Sequence, residues 1–149
     1  MRTVKTILLA GAVALTGSAA AVAQESGDAA AGFALQLNSA KQDERGCELA
    51  VVVRNGSEKT LERGVWNLAF FDAGGKFSRI LGMELKDIRA QSAYAKVFTL
   101  RDTECSSISW ILINDAPVCQ VAGGAEGDAL CLGEMTAESA VDTIRFGTN

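Results

Sequence analysis

The sequence contains no histidine. That absence removes Ser-His and Cys-His nucleophilic pairs, the usual general base near neutral pH, and the commonest ligand for zinc, copper and iron. It also lacks any Cys-x-x-Cys pair, so neither a zinc knuckle nor a dithiol redox motif has residues to build on. Basic residues are few, 14 Lys and Arg against 18 Asp and Glu, for a formal charge of −4. A chain of that sign has no electrostatic reason to hold nucleic acid or an anionic lipid surface. No Ser-x-x-Lys spacing stands in a context fit for a catalytic dyad. No cofactor is called for.

What is present begins with a targeting segment. Arg2 and Lys5 precede an apolar, Ala-rich run from Ile7 to Leu15, followed by small residues ending Ala21-Val22-Ala23. This is the three-part layout of a secretory signal peptide, and cleavage is expected after Ala23, so that residues 1–23 are removed. Without a paired arginine the twin-arginine route has no residue to use, and without a nearby cysteine there is no site for a lipid. The general secretory route and a periplasmic destination follow. An uncleaved signal is the one way the chain would touch a membrane, and Gly11, Thr16, Gly17 and Ser18 leave the run short of the ~18 to 20 apolar residues a span needs. Losing residues 1–23 takes away two basic groups and no acidic one, which leaves the remainder more acidic still.

All four cysteines, Cys47, Cys105, Cys119 and Cys131, lie beyond the signal. An even count in a small exported chain reads as two disulfides, and no metal is expected.

Residues 24–32 read as a flexible leader of small and polar side chains, and residues 33–149 as one domain. Within it Phe33, Leu35 and Leu37 alternate with smaller or polar residues, as do Leu49, Val51 and Val53, the period-two pattern of strands with one buried face. Asn55-Gly56-Ser57 reads as a tight turn. A strand from Val65 to Asp72 carries Trp66, Leu68 and Phe70 on one face. Asp72-Ala73-Gly74-Gly75-Lys76 is a second turn, before an extended stretch through Phe77, Ile80, Leu81, Met83 and Leu85. Lys86 to Ser92 reads as a crossing between sheets, and Ala93 to Leu100 as a strand with Tyr94, Phe98 and Leu100 inward. Ser107 to Ile113 is apolar almost without a break, the mark of a central strand, and Pro117 is expected at an edge or turn. Thr136 to Ala140 carries a weak signal for a helical turn, and a last strand is placed around Ala140 to Phe146.

About seven short strands at this spacing point to an all-β, immunoglobulin-like β-sandwich stapled by disulfides. In a Greek-key sandwich the second and sixth strands run the same way in opposing sheets. Cys47 and Cys105 would then meet at one end, which leaves Cys119 to Cys131. The glycine-rich segment between that second pair, with Ala122, Gly123, Gly124, Glu126, Gly127 and Asp128, is the candidate binding loop, since loops on rigid scaffolds often carry function.

The remaining candidates are weaker. Asp43 with Glu44, and Asp102 with Glu104, are the carboxylate pairs a glycosidase would need, but adjacent acids in polar segments are ordinarily solvated surface. Asp72-x-Gly74 resembles the start of a calcium loop without the further oxygen ligands. Trp66 and Trp110 sit among apolar neighbours and read as core. No catalytic residue is assigned.

Several segments together resemble a family of exported alphaproteobacterial proteins of unassigned activity, often labelled by a twin-arginine signal: Cys47-Glu48-Leu49, Val53-Arg54-Asn55, Phe70-Phe71-Asp72 with Gly74, Lys96-Val97-Phe98-Thr99-Leu100, Cys105, Leu112-Ile113-Asn114-Asp115, Cys119 and Cys131-Leu132. More loosely the strand pattern is similar to bacterial immunoglobulin-like modules of the FxLYD kind. The resemblance implies a periplasmic β-sandwich and brings no catalytic residues with it. The leading expectation is a non-enzymatic module that binds another envelope protein. The alternative is a binder of a small molecule or lipid in apolar space between the sheets or under the glycine loop.

Overall fold

Alternation of apolar side chains along the chain buries one face of each long strand. In a computed structural model, which describes residues 31–123 and 129–148, eight strands form two four-stranded sheets. They are β1 (Phe33–Asp43), β2 (Gly46–Asn55), β3 (Leu61–Asp72), β4 (Phe77–Ile88), β5 (Ser92–Arg101), β6 (Ile108–Val121), β7 (Thr136–Ser139) and β8 (Arg145–Gly147). The first sheet has the order β5-β2-β1-β7 and the second β4-β3-β6-β8, so the molecule is an all-β sandwich. The signal segment and most of the leader lie outside the described residues.

Phe33, Leu35, Leu37, Leu49, Val51 and Val53 face inward from the first sheet, and Trp66, Leu68 and Phe70 meet them from the second. The Trp66 ring meets Phe33 edge-on at 5.7 Å between centroids. It fits because Gly64 lies beneath it: a Cβ there would come within 2.7 Å of the indole. The Trp66 Nε1–H donates to the Cys131 carbonyl at 3.0 Å, so the largest core side chain has its one polar atom satisfied.

The cysteines pair as Cys47–Cys105 and Cys119–Cys131. The first joins the start of β2 to the turn before β6, with 4.9 Å between Cα atoms. The second joins β6 to a short π-helical turn, Ala129–Gly133, with both sulfurs' residues buried in the core. Disulfides of this kind belong to an oxidising, extracytoplasmic compartment. No helix among the described residues is long and apolar enough to cross a membrane.

The details of the connections and edges can be set against the sequence reading. Asn55-Gly56-Ser57 is not a hairpin turn, because β2 and β3 lie in different sheets and the chain crosses between them here. Asn55 is instead a buried tie: its Nδ2 donates to the carbonyls of Lys59, Ile88 and Arg89, and its Oδ1 accepts from the amide and hydroxyl of Ser57. It binds the β2–β3 crossing to the β4–β5 crossing, and Gln91 adds a bond to the Ser57 carbonyl.

Pro117 stands at an edge as expected, since β8 pairs with β6 only over Trp110–Leu112 and β6 has β3 alone beside it here among the described residues; Ala116 and Pro117 together stand opposite Trp66 of β3. The register slips there, and a bulge is one of the places a sheet tolerates a residue without an N–H. Tyr94 shares the inner row of β5 with Lys96 and Phe98 but is 46% exposed, since β5 is an edge. Thr136–Ser139 forms β7 rather than a helical turn, pairing parallel to β1. The last strand is shorter than expected and runs parallel to β6.

Candidate functional site

The carboxylate pairs resolve into different roles. Asp43 closes the β1–β2 turn: its Oδ1 accepts from the amides of Arg45 and Gly46, and its Oδ2 pairs with the Arg45 guanidinium at 2.9 Å. That guanidinium, with the turn amides, holds the Asp43 carboxyl below its usual range. Glu44 points to solvent beside it. Asp72 likewise organises a turn, its Oδ1 accepting from the amides of Gly74 and Lys76, with Gly75 at a positive φ. Among the described residues no group of three His, Cys, Asp or Glu side chains could hold a metal ion. Asp102 and Glu104 are the pair the fold places at an opening, described below.

Of the candidate loop, Ala122 and Gly123 are described, the Ala122 amide donating to the Thr60 carbonyl just past the end of β6. Gly124, Glu126, Gly127 and Asp128 lie outside the described residues.

Trp66 is in the core as expected, but Trp110 is not. It stands on the outer face of the second sheet, half-buried, stacked on Phe71 at 4.7 Å between centroids. Phe77 of β4 meets the other side of Phe71 edge-on at 6.1 Å, and the Arg145 guanidinium lies 3.8 Å from the centre of the Trp110 ring. The physical reason is the period of β6: once Ile111 and Ile113 face inward, Trp110 and Leu112 must face out.

This outer aromatic row leads to the edge strand β4. Its two halves differ in chemistry. From Met83 to Ile88 the apolar residues are buried and the exposed ones are charged, with Glu84 held between Arg63 at 2.7 Å and Lys86 at 3.6 Å. From Phe77 to Gly82 every residue is exposed, with Phe77 at 61%, Ile80 at 46% and Leu81 at 37%. Arg79 is the one charge in that half. On its far side β4 has no strand partner among the described residues.

β5, the edge of the first sheet, follows β4 on the same flank and exposes Tyr94 and Val97. Its inner row carries Lys96 at mid-strand, opposite Val51, and a charge pointing inward at an edge discourages further pairing. Between the two edges, at the end of the sandwich near the Cys47–Cys105 bridge, lies a hollow of about 270 Å³. It is lined in part by Phe70, Arg79, Leu100, Asp102, Glu104 and Ile108.

The edge and the aromatic row were missed in the sequence because Phe77, Ile80 and Leu81 look like core residues. The available signal was their broken spacing, which matches neither one face of a strand nor a run buried on both. No protein-family model, characterised protein or solved structure matches this chain.

Proposed function

We propose that the chain is an exported, non-enzymatic, immunoglobulin-like module of the bacterial periplasm that binds a partner protein by accepting a strand along β4. The observation that carries this reading is the first half of β4, an edge without an outer partner among the described residues and with Phe77, Ile80 and Leu81 exposed. An edge of that kind presents unpaired backbone donors and acceptors beside apolar surface, and strand addition satisfies both at once. The aromatic row behind it, Phe77, Phe71 and Trp110, offers packing surface to the outward side chains of an added strand.

Export is supported by the signal layout of residues 1–23 and by the two disulfides. The immunoglobulin-like reading is supported by β5-β2-β1 facing β4-β3-β6, with a bridge between the second and sixth strands' entrances. The parallel β8 departs from that pattern, in which a final strand would return antiparallel to the sixth. The family of exported alphaproteobacterial proteins that the sequence resembles fits the same compartment.

The test is site-specific photocrosslinking in the exported protein within its bacterial host. A photoreactive side chain at Ile80 should capture a discrete protein partner, while the same group at Glu138, on β7, should not. Equal capture from both positions, or none from Ile80, refutes the reading.

A further inference from the structure

The hollow on the open flank has a floor and a rim of different character. Phe70, Leu100 and Ile108, each at most 5% exposed, form an apolar floor. The rim carries three carboxylates, Asp72, Asp102 and Glu104, against one guanidinium, Arg79. None of these four charges forms an ion pair among the described residues. Asp72 uses one oxygen on the backbone of its own turn, which leaves its second oxygen, with the Asp102 and Glu104 carboxylates, outside any ion pair among the described residues.

Register connects this hollow to β4. Arg79 stands opposite Phe70 on the inner row of the second sheet, as Leu81 stands opposite Leu68. A strand added outside β4 places alternate side chains on that same inner row, and the one beside Arg79 arrives at the mouth of the hollow. We propose that the partner's strand carries a lysine or arginine at this position, an inference that rests on the strand-addition reading above. A long aliphatic stem lies along the apolar floor past Arg79, the one like charge beside it, and the cationic head reaches the three carboxylates beyond. A glutamate would find Arg79 but face three like charges. A leucine would cover the floor and leave the rim unanswered. The net negative charge of the chain acts in the same direction, favouring approach of a basic segment.

The oxidised exported protein would be titrated with fluorescent nine-residue peptides of alternating threonine and valine, with lysine, arginine, leucine or glutamate at the centre, followed by anisotropy. Lysine and arginine peptides are expected to bind about five- to tenfold more tightly than the glutamate peptide at low salt, with a gap that narrows as salt rises. In the D102N/E104Q double variant the lysine and leucine peptides should become equal. If leucine or glutamate binds as well as lysine to the unaltered protein, and Leu81→Lys abolishes binding of all of them, strand addition stands and the basic anchor is wrong. If no peptide binds, the strand-addition reading fails and takes the anchor with it.

Discussion

Along one flank of the sandwich the C-terminal chain pairs with both sheets, β7 with β1 and β8 with β6, in strands of 4 and 3 residues. Along the opposite flank the edges are β4 and β5, of 12 and 10 residues, and neither has an outer partner among the described residues. Short edges are poor templates because a new strand would gain few ladder bonds, whereas a long edge with apolar side chains can hold a partner over most of its length. The closed flank also buries its apolar residues, Ile144 and Phe146, while the open flank leaves Phe77, Ile80, Tyr94 and Val97 in solvent. One chain thus covers part of one side, over Trp110–Leu112 of β6 and Ala34–Leu37 of β1, and leaves the other side without an outer strand along its whole length among the described residues. That asymmetry is the basis for placing a partner on β4.

Detaching β8 from the closed flank is expected to have the largest effect. Phe146 is buried on β8 opposite Ile111, and Phe146→Ala is expected to cost about 3–5 kcal/mol through lost burial and the cavity left behind. Against a typical domain stability of ~5–15 kcal/mol this is a large fraction. Urea unfolding measures it, and hydrogen exchange should show the amides of β6 near Ile111 losing protection as β8 detaches. A loss below about 1 kcal/mol would mean that β8 adds little to the closure.

A smaller effect is expected at Asn55, which ties together the two crossings at the end of the sandwich farthest from the Cys47–Cys105 bridge. Asn55→Ala leaves the carbonyls of Lys59, Ile88 and Arg89 without their shared donor and should cost about 2–3 kcal/mol. Asn55→Asp should be at least as damaging, because a carboxylate would then face three carbonyl oxygens. Because the β4–β5 crossing is held through this residue, exchange at Ile88 and Arg89 should rise more than exchange in β7 or β8.

Smaller still is the expected cost of charging the bare half of β4. Leu81→Lys alters a partly exposed edge position and should change stability by about 1 kcal/mol or less. Partner capture from a photoreactive group at Ile80 should nevertheless disappear, because a lysine on an edge opposes pairing. Stability and binding would thereby be separated at one residue. Retained capture would place the partner elsewhere on the molecule.

Much of the scaffold could be read from residue order. Alternation in β1, β2 and β3 marked the inner face, since Phe33, Leu35, Leu49, Val51, Trp66 and Leu68 follow one parity without interruption. The disulfide pairing followed from strand direction. The outer aromatic row could not be read, because Ile108 to Ile113 is apolar on both faces and carries no parity to tell Trp110 from Ile111. Asn55-Gly56 carries the same letters whether the next strand stays in its sheet or crosses to the other, so only the partner carbonyls from β4's end reveal its role. The open edge was the faintest feature: the broken spacing of Phe77, Ile80 and Leu81 hints at it, but their exposure follows from what lies beside β4.

The smallest expected effect concerns the charged half of β4. The Arg63 guanidinium bonded to Glu84, with a lesser contribution from Lys86, holds the Glu84 carboxyl below the ordinary glutamate range. A carboxyl that titrates lower in the folded chain than in the unfolded one takes up its proton in the unfolded state first as pH falls. Its contribution to stability is therefore complete above the unfolded value of about 4.3 and is lost as pH drops through the folded value. All the groups involved are well exposed to solvent, so the contribution is small and weakened by salt. Arg63→Gln should leave the pH dependence near neutrality unchanged and make the decline below about pH 4 shallower than in the parent. The Asp43–Arg45 pair, similarly depressed and present in both proteins, cancels in the difference.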